Sequence, residues 1–367
     1  MTPPIYLDYQ ATTPLAPEAL AAMLPWLESQ PANPHSAHAP GRAAKAAVEV
    51  ARDAVAALLP AGGSLSFTGG ATESLNWALK GAPAGRIVTI ATEHAAVLDT
   101  VEALAALGRD VTVLPVDHDG LVDLDAARAA ITSGVSIVAA MLVNNEIGVI
   151  QPVGELARLA RAAGAWMLCD AVQGYGRVPI PDGCDLIAIS AHKIHGPKGI
   201  GALWLRDGIA PAPLLHGGGQ EGGMRSGTLS PALCAGFGAA AKLMAERSDA
   251  DADHVASLWG HARAAFAGWA VNGSETRRYP GNLNIRRDGI DVARLISDVR
   301  SVAFSAGSAC ASGSGRPSHV LKAIGLGDAQ ARSSIRLGFG RTTTTDELDR
   351  AIALILQAAE RQGLKAA

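Results

Sequence analysis

Aromatic residues are scarce in this chain, at 4% of 367 residues, and cysteines number only four. Cys169, Cys184, Cys234 and Cys310 share no CxxC spacing. That argues against a grouped structural zinc site and against a disulfide framework, and it fits the reduced thiols of a cytoplasmic protein. Charge of one sign is also lacking: the formal balance is −3, with no basic cluster. A surface devoted to nucleic acid or to an anionic membrane is not expected. No uninterrupted apolar run reaches the roughly 18 residues of a membrane helix. The start, MTPPIYLDYQATTP, lacks the charged head and apolar core of a signal peptide. Repeats and low-complexity tracts are missing as well.

What the chain does have is Ala, Leu and Val, which make up most of a 49% hydrophobic content. Such a composition suits a helix-rich α/β enzyme with a substantial core. Apolar runs at Arg86–Ala91, Val135–Val143, Ala165–Cys169, Leu186–Ile189 and Gly201–Leu205 predict buried strands. Helical patterns, Ala95–Leu107 and Glu155–Ala163 among them, lie between some of these runs. The alternation predicts a mostly parallel sheet covered on both faces. Past Arg247 the texture changes. Short strands are expected at Asn282–Arg286, Val302–Ser305 and Ser334–Leu337, and a last helix over Asp346–Gln362. The expected organisation is an N-terminal arm (1–13), a large domain (14–247) and a smaller α+β domain (248–367), with the arm packing on the latter. The glycine-rich HGGGQEGGMRSGT, His216–Thr228, reads as an irregular loop.

In open parallel sheets, ligands bind beyond the carboxyl ends of the strands. Four successive runs end there in polar residues: Thr92, Glu93 and His94; Asn144, Asn145 and Glu146; Asp170 and Gln173; Ser190, His192 and Lys193. One such ending would be a turn or a helix cap; together they point to a shared pocket. Asp170 closes the run WMLCD, where a carboxylate costs several kcal/mol unless a cation or strong donor meets it. It reads either as an N-cap for AVQGYG or as the partner of a protonated ring nitrogen. Lys193, in SAHKIHGPKG, stands where a buried strand runs out, and buried lysines shift toward the neutral, nucleophilic amine. An Asp for a pyridinium and a Lys for a Schiff base are what pyridoxal 5'-phosphate (PLP) asks of a protein.

The cofactor's phosphate needs an anchor. Gly69-Gly70-Ala71-Thr72 precedes a helical pattern with Glu73 in its first turn, so backbone N–H groups and the Thr72 hydroxyl can form an anion cradle. Thr72 reads equally as a plain cap, and the Gly-Lys-Ser/Thr ending of a Walker A loop is missing. Ser190 and His192 are further phosphate donors or simply parts of a turn. Cys310, in FSAGSACASGSGRPSHVL, has small residues on both sides, which suits a loop thiol able to reach a substrate or an ordinary small residue. Arg336, in SSIRLGFGR, reads as an ordinary ion pair or as a bidentate clamp on a substrate carboxylate.

At these residues the sequence resembles the cysteine desulfurases of the NifS/IscS type, within the class V aminotransferase-like PLP enzymes. YLDYQATTP, NPHSAHAPGR, FTGGATES, TEHAAV, VNNEIGVIQP, CDAVQ, SAHKIHGPKGIGAL, HGGGQEGGMRSGT, SAGSACASGSGRPSHVL and SSIRLGFGR are similar to that family's motifs, in order and nearly end to end. The resemblance implies a fold-type I PLP-dependent transferase. It implies Lys193 as the Schiff-base lysine, Asp170 as partner of the pyridine nitrogen, and His94 stacked on the ring and assisting proton traffic. Gln173 and Asn145 would address the ring-oxygen side. Ala71, Thr72, Ser190 and His192 would hold the phosphate, with Thr228 arriving from the other subunit of a homodimer. Arg336, with Asn145, would take the carboxylate of L-cysteine. Cys310 would attack the substrate sulfur, leaving alanine and a protein persulfide.

Further expectations follow from the same resemblance. Leu321 stands eleven residues beyond Cys310, similar to the long loop of the NifS/IscS branch rather than the shorter one of the SufS branch. Such a loop would carry a persulfide to an acceptor protein, for iron–sulfur cluster assembly or another thiolation. No intrinsic metal site is implied, and Cys310 alone would touch iron–sulfur cargo during transfer. Tyr9-Gln10 stands where the family more often has Asn-Ala, a change expected to be harmless. The chain ends soon after the 346–362 pattern, similar to members without the longer C-terminal tail that serves docking to an IscU-like scaffold. Selenocysteine or cysteine sulfinate on the same scaffold, and a catalytically idle sulfur-transfer partner, are the alternatives.

Overall fold

The computed structural model describes residues 3–306 and 317–363. Its centre is a seven-stranded sheet. Along the sheet the strands run Gly63–Thr68, Gly201–Arg206, Leu186–Ser190, Trp166–Asp170, Val135–Met141, Arg86–Ile90 and Val111–Leu114. All pairings from 186–190 through 111–114 are parallel, whereas the 201–206 strand is antiparallel to both its neighbours. Every residue of Val135–Met141 is buried, the burial expected of a parallel strand covered by helices on both faces. Its unbroken apolar sequence is what that position requires. The five strands expected here form, each within two residues of its expected ends; the two edge strands, 63–68 and 111–114, are additions.

The four strands whose ends carry the polar residues are immediate neighbours, in the order 186–190, 166–170, 135–141, 86–90. Their carboxyl ends therefore form one continuous rim. The helix Ala71–Lys80 starts at that rim, and Ala95–Ala106 starts just after His94.

A second core surrounds a four-stranded antiparallel sheet ordered Ser305–Ala306, Ser334–Gly338, Asn282–Arg286 and Ala270–Val271. The single strand expected over 302–305 is two short ones, because Val302–Ala303 pairs with Ile5–Tyr6 of the N-terminal arm while Ser305–Ala306 joins the sheet. Leu7 is fully buried in this second core. One long helix, Pro231–Ala265, serves both cores: Cys234, Phe237 and Met244 pack in the first, Val255, Leu258 and Ala262 in the second. Ser230 caps it, accepting from Leu233 N, with Pro231 at its first position. The last helix, Thr345–Glu360, opens on a Thr344/Glu347 capping box. The 216–228 segment is irregular apart from one 3-10 turn, Glu221–Gly223.

Candidate active site

A cavity of about 1130 Å³ lies along the rim of strand ends. Ala71, Thr72, His94, Asn145, Asp170, Gln173, Ser190, His192, Lys193 and Arg336 all line it. Thr228 is exposed and is not among its walls. Cys310 lies outside the described residues.

Lys193 ends a short 3-10 turn, Ala191–Lys193, directly after the 186–190 strand. Its Nζ donates to the carbonyl oxygens of Gln10 and Ala11, at 2.5 and 2.9 Å. Burial, helped by the Arg336 and Arg177 guanidiniums, pulls its pKa down to about 8, against Asp170 and Asp8. A sizeable neutral fraction then exists near physiological pH, which a nucleophilic amine needs. The arm holds the lysine loop in place. Thr13 donates its backbone N–H to the His192 carbonyl at 2.9 Å, and its hydroxyl accepts from His195 N at 2.7 Å. His195 sits at φ 67°, a left-handed conformation that a non-glycine residue adopts only when its surroundings enforce it.

Asp170 is 6% exposed. Its Oδ1 accepts from Val172 N at 3.0 Å, and the segment that follows forms turns rather than the helix one reading of AVQGYG expected. Among the described residues no lysine or arginine pairs with this carboxylate. Burial accordingly raises its pKa, against the Val172 N–H, His94 and Lys193. A carboxylate in that condition gains several kcal/mol from a protonated ring nitrogen brought into contact.

His94 caps the 95–106 helix, its Nδ1 accepting from Ala96 N at 3.0 Å. An accepting Nδ1 means a neutral ring with its proton on Nε2. Burial also lowers its pKa, as do Lys193 and His319, against Asp170 and Asp99. Burial, with Lys193 and Lys198, holds His192 down to about 4, so that ring is neutral too; its Nδ1 is 3.2 Å from Thr12 Oγ1.

The 71–80 helix opens at Gly70 with no side-chain cap among the described residues, and the first-turn residues Ala71, Thr72 and Glu73, whose amides have no partner within the helix, line the cavity. A Cβ at Gly70 would meet nothing within 4 Å, which leaves room for an anion. Glu73, the acid in that first turn, is neutralised by Arg225 at 2.7 Å and by the Gly69 amide at 2.7 Å.

Arg336 is 1% exposed. It donates from Nη2 to Asp8 Oδ1 at 2.8 Å and from Nη1 to the Asn145 carbonyl at 2.9 Å. Its buried Nε has no acceptor among the described residues. The two readings of this arginine are thus not exclusive: it is ion-paired and it lines the cavity.

Several contributors carried no role in the sequence reading. Glu93 is fully buried; Oε1 accepts from Met141 N at 2.6 Å, and Oε2 has no partner among the described residues. Burial and nearby Asp170 push its pKa well up, which favours the protonated form beneath the site. His319 donates from Nε2 to the Glu93 carbonyl at 2.8 Å and lines the cavity. Ser318 donates to Glu146. The backbone of Gln10 accepts from both Lys193 and Gln173 Nε2. Of these, only the positions of Glu93 and Glu146 at strand ends carried a readable signal.

The residues present fit PLP. Among the described residues Asp170 lacks a cation and the buried Gln173 Oε1 lacks a donor, while the 71–80 helix offers its first amides and Lys193 is held toward its neutral form. Among the described residues no group of three or more His, Cys, Asp or Glu is placed to hold a metal ion.

The chain matches the family model for aminotransferase class-V over residues 5–351. A cysteine desulfurase IscS of Rickettsia rickettsii is 43% identical over 97% of this chain and 91% of its own length. A solved structure described as a NifS-like protein superimposes with a TM-score of 0.90 at 30% identity, covering 98% of this chain and all of that one. Another, SspA in complex with cysteine, has a TM-score of 0.82 at 34% identity and covers 91% of this chain and 98% of its own.

Proposed function

We propose how this chain, which belongs to the class-V aminotransferase family, uses its cavity. It is a PLP-dependent cysteine desulfurase, and like its relatives it takes sulfur from L-cysteine and passes it to an acceptor protein. The observation that carries the residue assignment is the pairing, in one cavity, of a carboxylate without a cation (Asp170) and an amine held toward neutrality (Lys193).

When bound, PLP supplies an electron sink that makes the bonds at the substrate's α-carbon and its C–S bond labile. The chain's own residues do the rest. Lys193 would hold the cofactor, and its Nζ, in the neutral form, would move the α-proton. Asp170 keeps the ring nitrogen protonated. The first amides of the 71–80 helix, with Thr72, Ser190 and His192, hold the phosphate. His94 presents an uncharged ring with Nε2–H, and Gln173 and Asn145, which line the same cavity, would meet the ring-oxygen side of the cofactor. Arg336 binds the cysteine carboxylate. The Cys310 thiolate attacks the substrate sulfur: a new S–S bond forms, the C–S bond breaks, and its electron pair stays with carbon, which takes a proton to become alanine. The products balance as alanine plus a Cys310 persulfide.

Thr228 is exposed and outside its own cavity, which supports a homodimer in which each subunit lends this residue to its partner's phosphate site. The arm (1–13) belongs with the small domain and the division from the large domain falls near residue 247, inside the helix shared by both cores; the Ile5–Val302 pairing and Leu7 support this. We infer a cytoplasmic enzyme from the thiols of Cys169, Cys184 and Cys234, which are free and buried. No helix among the described residues is long and apolar enough to cross a membrane. Iron–sulfur cluster assembly is the reading of the sulfur's use that the relatives' name supports.

The test is to incubate purified protein with L-cysteine and quantify alanine and the persulfide on Cys310 by mass spectrometry. Equal amounts of both are expected in the first turnover. Cys310→Ser should keep the cofactor absorbance and form no persulfide. Parent-rate alanine from that variant would overturn the nucleophile assignment.

A further inference from the structure

A second cavity, of about 290 Å³, lies behind the lysine loop, between the two cores. Gly176–Pro179 form one wall, the 231–265 helix another through Met244, Ser248, Asp251 and Val255, and Gly340-Arg341 a third. Its charged lining is unbalanced. Arg177, Arg278 and Arg341 face a single carboxylate, Asp251. That carboxylate is already shared, with Arg341 at 2.5 Å and Arg247 at 3.3 Å. Among the described residues neither Arg177 nor Arg278 has a carboxylate within ion-pair distance. Arg278 spends Nη1 and Nη2 on the carbonyls of Ser274, Ile147 and Asn282. Among the described residues neither its buried Nε nor Nη1 of Arg341 has an acceptor.

Two buried or half-buried cations without a counter-ion cost free energy that an anion would offset. One neighbouring group registers this positive field: burial, with Arg177 and Arg341, holds His195 down to about 4, against the Pro14 carbonyl and Asp251. The remaining walls are apolar: Ile150, Val178, Met244, Val255 and the Tyr279 ring, on which Arg177 stacks at 5.3 Å. A few polar groups converging in a small, mostly apolar space is the make-up of a small-molecule site.

We propose that this cavity binds a small carboxylate with a short apolar body, its charge toward Arg177 and Arg341 and its body against Met244 and Val255. Bare sulfate or phosphate would use the guanidiniums and waste the apolar walls. Such a ligand touches both cores and the helix they share, so it braces them against each other. It also reaches the main site, because Arg177 Nη2 donates to the Lys193 carbonyl.

The experiment uses the PLP-loaded protein, so that the phosphate cradle of the main cavity is filled. Thermal unfolding is followed against isobutyrate, sulfate and chloride at matched ionic strength. Ala252→Glu and Ser248→Glu place a carboxylate at the cavity wall from exposed positions one helical turn apart. Cofactor absorbance checks that the main site of each variant is intact. A saturable rise in melting temperature with isobutyrate, weakened at least about tenfold in apparent affinity in both variants, is the expected result. A rise that follows ionic strength alone, or that survives in both variants, overturns the proposal. Sulfate stabilising more than isobutyrate overturns the choice of an apolar-bodied carboxylate.

Discussion

Arg336 Nη2 lies 2.8 Å from Asp8 Oδ1, joining a strand of the second core to the N-terminal arm across 328 positions of sequence. Asp8 Oδ1 also accepts from Ser305 Oγ at 2.9 Å, so the carboxylate is fixed before any substrate arrives. The arginine that would take the cysteine carboxylate is therefore held in place by a carboxylate of the protein. The arrangement gives it orientation at the cost of competition.

That competition is measurable in KM. Arg336→Lys keeps the charge and loses the two-pronged geometry, so KM for cysteine should rise about 10–100-fold, the value of one or two charge-assisted hydrogen bonds, while kcat moves far less. Asp8→Asn keeps an acceptor for the guanidinium and removes the competing charge, so KM should fall several-fold. Steady-state kinetics on both variants decide the matter. An unchanged KM in Arg336→Lys would remove this residue from the substrate site.

Lys193 sets a pH dependence. Its folded pKa is held down to about 8, whereas a solvated lysine titrates near ~10.4. Between those values the unfolded chain binds more protons than the folded one. The cofactor-free protein should therefore gain stability as pH rises through that window. Lys193→Ala should be the more stable form at pH 7, with the gap closing as pH climbs. The rate of PLP capture by the parent, followed by absorbance, should rise with a midpoint near pH 8. A capture rate flat from pH 7 to 9 would contradict the lowered pKa.

Much of this site was legible because parallel strands announce themselves twice. Val135–Met141 is apolar along its whole length, and the polar residues that follow it mark the end where ligands bind. The edge strands 63–68 and 111–114 gave no such signal; GSLSFT begins with two exposed residues, and VTVL has only one buried. Contacts made by backbone atoms were illegible altogether. Nothing in the letters Gln10 or Glu93 says that their carbonyls receive Lys193 and His319. The Arg336–Asp8 pair was hidden for another reason: its separation in sequence is bridged only once the arm lies against the second sheet.

Glu93 should behave as a neutral acid. Burial and Asp170 raise its folded pKa well above the ordinary ~4.3 of a glutamate. A group raised in the folded state binds more protons there than in the unfolded chain. Its stabilising effect is complete below the unfolded value and is lost as pH climbs toward the folded one. Glu93→Gln mimics the protonated side chain and has no proton to lose. It should melt above the parent at pH 7 and match it near pH 4. Glu93→Ala, which abandons the Met141 N–H, should be less stable by about 1–3 kcal/mol. A Glu93→Gln variant that melts well below the parent at pH 7 would mean the carboxylate is ionised.

Gln10, expected to be a harmless departure, is wedged between the cofactor site and the second sheet. Its Nε2 donates to the Gly281 carbonyl at 2.7 Å, and its own carbonyl receives Lys193 and Gln173. The wedge depends on a missing side chain opposite: a Cβ at Gly338 would stand 1.8 Å from Gln10 Oε1 and 2.9 Å from Tyr9 N. The first of these contacts can be relieved by shortening Gln10; the second is with backbone and cannot. Gly338→Ala should thus cost about 1–3 kcal/mol of stability, as overpacking does. Adding Gln10→Ala, the residue more usual in the family, should recover most of that loss but not all. Urea denaturation of the two single variants and the double variant closes the cycle. Strict additivity would show that the two side chains do not compete for this space, and that Gln10 owes its position to the Gly281 carbonyl alone.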